Sequence, residues 1–295
     1  MILINNIMTN DESQLKEIIK LHFKETIDNI KHDFSKNCKK KKFNFLVSTL
    51  DKELRATMVF VSSFESKSGN TIEACAKDFA KLRYGEENVP TIVNPNNIPC
   101  KINHANKNQQ IIITNVDIEN KEFKGKITAF RTSNESKDGL DCKLNQDILT
   151  TDLLPITRTF IKEDKVYTKP VDLAYYDGTR WNVTEIKAGG DLDSSNAPSN
   201  IDKLLTIYAG LNVDDAYAYF STLYNKNGEG NNWTGCVKKY FGYPKMFKIG
   251  SQFWNDILPF NITFDSFVDI YKDALYELNL EEEMKELIRK AKEIL

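Results

Sequence analysis

Few histidines and few cysteines set the first limits on what this chain can be. Its three histidines and five cysteines (Cys38, Cys75, Cys100, Cys142, Cys236) are widely scattered. No pair has the close spacing of a zinc site, and the cysteine count is odd, so reduced thiols of a cytoplasmic protein are the simpler account. Long apolar runs are missing too: nothing approaches the roughly eighteen residues that a membrane span needs. The opening MILINNIMTN is briefly apolar but has no positive leader or cleavage site, so no signal peptide is expected. Excess positive charge is the third absence. A formal net charge of −2 does not advertise a nucleic-acid partner. It does not exclude one either, because affinity for phosphate follows the local placement of Lys and Arg, and a bound metal brings its own charge.

What is present is an ordinary globular composition, 41% hydrophobic and 28% charged over 295 residues, enough for one large domain or a core with a subdomain. The informative stretch is residues 169–200, KPVDLAYYDGTRWNVTEIKAGGDLDSSNAPSN. It holds Pro170-x-Asp172 and, after twelve intervening residues, Glu185-Ile186-Lys187. Apolar-rich runs flank Asp177-Gly178, a dipeptide that closes β-hairpins. Side chains alternate along a strand, so Glu185 and Lys187 share one face and Ile186 takes the other. A two-residue loop puts Asp172 opposite Val183, on the face of Glu185 and Lys187. A four-residue loop, residues 177–180, puts Asp172 directly opposite Glu185. A three-residue loop sends it to the wrong face unless a bulge restores it.

Two carboxylates at cross-strand distance repel each other and invite a hard divalent cation such as Mg²⁺. Such an ion lowers the pKa of a bound water and stabilises charge on a phosphorane-like transition state. A neighbouring lysine can hold the attacking water or bind the phosphate. These parts suit phosphodiester hydrolysis. The plain structural alternative is a surface hairpin whose carboxylates pair with lysines.

Asp172 followed by Glu185-Ile186-Lys187 resembles the P-D…(D/E)-x-K signature of the restriction-endonuclease-like nuclease superfamily, with the spelling P-V-D as a departure. The run A-G-G-D-L-D-S-S-N-A after Lys187, and Gly250-x-x-Phe253-Trp254 further on, resemble the TdeIII-type restriction endonucleases. Residues 62–84, with S-F-x-x-x-x-G-N-x-x-E entering a helix, resemble the amino-terminal helix of many type II enzymes. That resemblance makes Glu73 an auxiliary metal-site carboxylate; helix capping through the dipole is the alternative.

The remainder reads as scaffold. Thr9-x-x-Glu12 is a capping box, and Leu15, Ile18, Ile19, Phe23, Ile27, Ile30 and Phe34 form one helical stripe. Lys36 and Lys39–Lys42 read as a solvated break, with a DNA-backbone contact as the minority reading. Residues 43–60 carry a second helical pattern. Residues 62–84 carry another, capped by Ser68 or Asn70, with Cys75 in its core and Lys77 facing solvent. Residues 110–114 read as a short strand or a buried helix turn, 124–130 as a further strand, and 131–141 as an exposed polar loop. Residues 197–211 are a helix with Ile201, Leu204, Leu205, Tyr208 and Leu211 buried, and 216–224 the next strand, giving β-β-α-β. Asp193 and Asn196 read as helix caps, Lys238 and Lys239 as a solvated face, and Trp254 as core. Two helices close the chain, the last capped by Asn279.

The expected class is therefore α/β: a restriction-endonuclease-like core, a mixed β-sheet flanked by helices, with N-terminal and C-terminal helical additions. The expected division is a helical region 1–90, a nuclease core 91–225 and a helical region 226–295. The resemblance implies a Mg²⁺-dependent type II enzyme of a prokaryotic cytoplasm, cutting double-stranded DNA at a short palindrome, GGNCC-like by analogy. It also implies a homodimer and a companion DNA methyltransferase. Asp172, Glu185 and the Ile186 backbone carbonyl would hold the metal, and Lys187 would position the water. A repair or junction-resolving nuclease, or a nuclease-like DNA-binding protein without catalysis, are the competing functions.

Overall fold

The residues of the hairpin do form paired strands, and in the computed structural model they are also where two sheets meet. The structure describes residues 10–102, 109–137, 141–189 and 192–295; Thr9 of the capping box, with Gly190 and Asp191 of the following turn, lies outside them. In chain order come α1 (Asn10–Lys42), α2 (Lys52–Tyr84), β1 (Ile92–Val93), β2 (Gln110–Thr114) and α3 (Lys121–Asn134). A helical segment follows as α4 (Gln146–Ile148), a π turn (Leu149–Leu153) and α5 (Leu154–Arg158). Then come β3 (Tyr167–Val171), β4 (Leu173–Tyr176), β5 (Trp181–Lys187), α6 (Ala197–Leu211), β6 (Ala216–Thr222) and β7 (Phe247–Ile249). The chain closes with α7 (Ser251–Ile257), α8 (Phe264–Glu277) and α9 (Leu280–Ala291). This is the α/β class expected, mixed sheets flanked by helices. No helix among the described residues is long and apolar enough to cross a membrane.

The chain folds as two compact units, Met1–Phe79 with Pro259–Leu295, and Ala80–Leu258. The first is helical. Leu15, Ile19, Phe23, Ile30 and Phe34 recur at helical spacing on α1 and are all buried. One cluster joins Ile30, Phe34 and Cys38 to Val59 and Phe60 of α2 and to Ile288 and Ala291 of α9. The helix α2 corrects two readings. Residues 62–84 are the continuation of a helix begun at Lys52, so Ser68 and Asn70 cap nothing and Glu73 is far from any first turn. Apolar packing carries the helix through Ser62, Ser63 and Gly69, which propensity alone marks as breakers. Lys77, expected in solvent, is only 4% exposed. Residues 45–47 form a short 3-10 turn before α2. Asn279 precedes α9 in a left-handed conformation, and its side chain makes no capping bond.

The second unit holds both sheets. One has the order β1-β2-β3, β1 parallel and β3 antiparallel to β2; the other has the order β4-β5-β6-β7, with β4 antiparallel to β5 and the rest parallel. The inner strand β5, antiparallel to β4 and parallel to β6, is buried at most positions. Helix α6, the crossover from β5 to β6, buries nearly all its length, Ile201 to Leu211, in the main core with Val183, Ala218 and Phe220. Residues 124–130, read as a strand, belong to α3 instead. Phe123, Ile127 and Phe130 line its buried face at helical spacing. Arg131, read as the start of an exposed loop, ends that helix buried, its Nε donating to Asp202 Oδ1 of α6 at 2.7 Å.

Two glutamines, Gln110 buried and Gln146 half-buried, complete the sheets by imitating a strand. Gln110 accepts from Ala174 N at 2.8 Å through Oε1 and donates to Ala174 O at 2.9 Å and Pro90 O at 2.8 Å through Nε2. Gln146 does the same for Ala218, accepting from its N–H at 3.0 Å and donating to its carbonyl at 2.8 Å. A buried donor or acceptor left unmade carries its full desolvation penalty. Gln110→Leu is therefore expected to cost about 2 kcal/mol, read as a lower denaturant midpoint. An unchanged midpoint would show that the amide is dispensable.

Candidate active site at the joint between two sheets

Strand β3 pairs with β2 as far as Val171, the chain bends at Asp172, and β4 pairs with β5 from Leu173 onward. Asp172 is thus the hinge residue at which the chain changes sheet. The register Leu173↔Thr184 and Tyr176↔Trp181 leaves a four-residue loop at 177–180. Asp177 builds that loop: its Oδ1 accepts from Thr179 N at 2.8 Å and Arg180 N at 3.0 Å, and its Oδ2 from Asn182 Nδ2 at 2.8 Å. Burial opposes the Asp177 carboxylate, but these hydrogen bonds outweigh it and hold its pKa down at about 2. Gly178 takes a φ of 94° within the turn, where a Cβ would be strained.

Of the three hairpin geometries open to the sequence, this one sets Asp172 against Glu185. The Asp172 side chain accepts from the Ile186 N–H at 2.9 Å through Oδ2. In an extended strand a residue's carbonyl leaves on the same edge as its N–H, so the Ile186 carbonyl faces this side as well. Glu185 is fully buried, and Lys187 Nζ donates to its Oε1 at 2.6 Å while standing 4.0 Å from Asp172 Oδ2. The structure therefore brings Asp172, Glu185 and Lys187 together. Glu73 belongs to the helical unit, half-buried on α2, whereas these three belong to the other unit.

A fourth residue is present that the sequence reading missed. Lys203, in the second turn of α6, donates to Asp172 Oδ1 at 3.0 Å and lies 2.6 Å from Glu185 Oε2. The signal was available, though faint. A crossover helix starts beside the end of the strand it follows, so a lysine early in an apolar crossover helix faces that strand's last residues. Although the ammonium is close to Glu185 Oε2, it is poorly aligned, and that buried oxygen makes no hydrogen bond.

Burial first, and then the Asp172 charge, raise the pKa of Glu185, with Lys187 and Lys203 pulling the other way. Burial works against the Lys203 ammonium, but Asp172 and Glu185 more than compensate and hold its pKa above the ordinary value. Lys169 on β3 is lowered, by burial and then by the charges of Lys203 and Lys124. Lys238, read as a solvated face, folds back instead: its ammonium sits over the Tyr243 ring at 4.0 Å and donates to Trp233 O.

The site offers oxygen donors to a metal. Among the described residues no group of three or more His, Cys, Asp and Glu side chains could hold an ion. The set is two carboxylates and one backbone carbonyl, hard ligands that suit Mg²⁺ with water completing its shell. Glu185 Oε2 is paired with the Lys203 ammonium at 2.6 Å without a well-aligned hydrogen bond, so a cation already stands where the buried carboxylate needs one. Asp193, read as a cap, forms a turn before α6, accepting from Ser195 N at 3.0 Å and Asn196 N at 2.8 Å; Asn196 makes no side-chain cap of its own. Trp254 is buried as expected and donates to Leu223 O at 2.7 Å.

The family model described as Type II restriction endonuclease, HinfI, matches residues 8–274. No curated protein and no solved structure matches the chain.

Proposed function

The chain belongs to the HinfI family of type II restriction endonucleases, enzymes that hydrolyse double-stranded DNA, and on that premise we propose that Asp172, Glu185 and Lys187 are its catalytic set. The observation that supports this most is the pairing of two carboxylates across the hairpin, with a lysine 2.6 Å from the buried one. Asp172, Glu185 and the Ile186 carbonyl would hold a Mg²⁺ ion. The ion, when bound, supplies a water of lowered pKa and neutralises charge on the phosphate. Lys187 orients that water and takes part in moving its proton. Asp172 braces the strand edge through the Ile186 N–H, which fixes the direction in which its remaining oxygen points. In-line attack at phosphorus leaves a 5′-phosphate and a 3′-hydroxyl.

The recognition site is a short palindrome read by a homodimer, since a two-fold protein matches a two-fold sequence. A GGNCC-like site is the first to try. It rests on the resemblance of the segment after Lys187 to TdeIII-type enzymes. A companion methyltransferase protecting host DNA completes the system.

Digestion of a sequenced plasmid tests this directly. Discrete bands in Mg²⁺ are expected, and they yield the site. A featureless smear or a preference for branched DNA would favour a repair or junction-resolving enzyme, and no cutting in Mg²⁺ or Mn²⁺ would sink catalysis. The pH profile is a second check. Because the Glu185 pKa is raised, the ionised form needed for metal binding develops at higher pH than for a free carboxylate. Cleavage should therefore rise with pH on an acid limb displaced above the usual carboxylate range, and Glu185→Asp should move that limb. A limb at the ordinary carboxylate position would contradict the buried, like-charged pair.

A further inference from the structure

We infer that Lys203 is an internal counter-ion for the metal seat, holding Asp172 and Glu185 in the metal-free protein and turning to a DNA phosphate once a divalent ion takes its place. The inference rests on the nuclease reading above and goes beyond it by adding a residue of α6 to the site.

Three observations carry it. The Lys203 ammonium bridges one oxygen from each carboxylate, Asp172 Oδ1 at 3.0 Å and Glu185 Oε2 at 2.6 Å. The ammonium thus occupies the space between the two carboxylates that would hold a divalent ion, so ammonium and metal would compete for it. The charges also favour exchange. Two carboxylates and the ammoniums of Lys187 and Lys203 balance, so a divalent ion entering beside an unmoved Lys203 meets a like charge at bonding distance. Finally, Lys203 has somewhere to go. Its side chain is one-third exposed, and a lysine stem is long and flexible. Lys169 is half-buried on β3, and the charges of Lys203, Lys124 and Glu185 all act on it. Once Lys203 leaves its carboxylates, its ammonium and that of neighbouring Lys169 suit a phosphate diester, the group that DNA presents beside the scissile bond.

Lys187 differs in this respect. It contacts Glu185 Oε1 and leaves the bridging pair free, so it can stay in place when the ion binds. The two lysines therefore have separable roles: Lys187 acts on the water, and Lys203 guards the seat.

The test is Mn²⁺ binding to DNA-free protein, by calorimetry or electron paramagnetic resonance, in wild type, Lys203→Met and Lys203→Arg. Lys203→Met is expected to bind Mn²⁺ about tenfold more tightly, since a competing like charge is gone. Lys203→Arg keeps the charge and should bind as wild type does or more weakly. In Ca²⁺, Lys203→Met should also bind DNA with a salt dependence reduced by about one phosphate contact. Lys203→Gln, which keeps a polar end, repeats the measurement should the methionine variant melt early. Unchanged or weaker Mn²⁺ binding in both neutral variants, with wild type binding Mn²⁺ and cutting DNA, overturns this role and leaves the nuclease reading standing. A wild type that neither binds Mn²⁺ nor cuts overturns both.

Discussion

Alanine in place of Asp172 or Lys187 should lower DNA cleavage by about a thousandfold or more, while DNA binding in Ca²⁺ persists. The two losses have different physical origins. Asp172→Ala removes a metal ligand and the acceptor that anchors the Ile186 N–H. It also removes a negative charge facing the phosphate, so DNA affinity is expected to hold or rise. Lys187→Ala leaves both carboxylates and removes the group that orients the attacking water, so metal binding should survive while the chemical step does not. Glu185 behaves less simply because it is fully buried between two ammoniums. Glu185→Gln keeps its volume and is the better probe there. Single-turnover cleavage with enzyme in excess separates the chemical step from binding. Should Asp172→Ala or Lys187→Ala cut at the wild-type rate, the assignment of the site is wrong.

The second large effect is structural. Gly242 is buried in the segment leading to β7, and a Cβ built on it falls 1.9 Å from the Leu144 carbonyl oxygen. That atom is backbone and cannot turn aside as a side chain would. Leu144 lies just ahead of Gln146, whose amide completes the pairing of β6. A shift of the Leu144 backbone is thus passed to the sheet. Gly242→Ala is expected to cost about 4 kcal/mol, at the upper end for a single substitution, seen as a melting point lower by about 10 °C. By comparison, Gly69→Ala on α2 meets nothing within 4 Å and should be neutral or stabilising through helix propensity. Equal melting temperatures for the two variants would contradict this packing.

How far the site could be read from sequence depended on what sort of pattern each part leaves. The hairpin was legible because Asp177-Gly178 and strand alternation are local signals, and α6 because its apolar stripe is long. The change of sheet at Asp172 was not. Alternation says which way side chains point and nothing about which neighbour a strand joins. Helix α2 reads as two because serines and Gly69 look like breakers, whereas the burial of Val59, Phe60, Ile72, Cys75 and Ala76 makes it one. Residues 124–130 resemble a strand although Phe123, Ile127 and Phe130 stand at helical spacing, since β-branched and aromatic residues also favour strands. Lys203 escaped because a single lysine on a helix is usually solvated, and its carboxylate partners lie on other elements. Arg131 escaped in the same way, its partner Asp202 being on α6.

Asp172 and Glu185 are joined by a loop of only four residues between short strands, so their approach is a product of local chain closure. Contacts of such short span form within microseconds and at little entropic cost. A newly made chain can thus juxtapose its two acidic groups before the crossover helix has docked, and mutual repulsion at that stage would force them apart. The lysine two positions beyond Glu185 travels with the same hairpin and relieves that repulsion from the outset. Transplanting residues 169–187 into another scaffold should carry the acidic pair along with its nearest neutralising partner, leaving the helix-borne cation to be supplied anew.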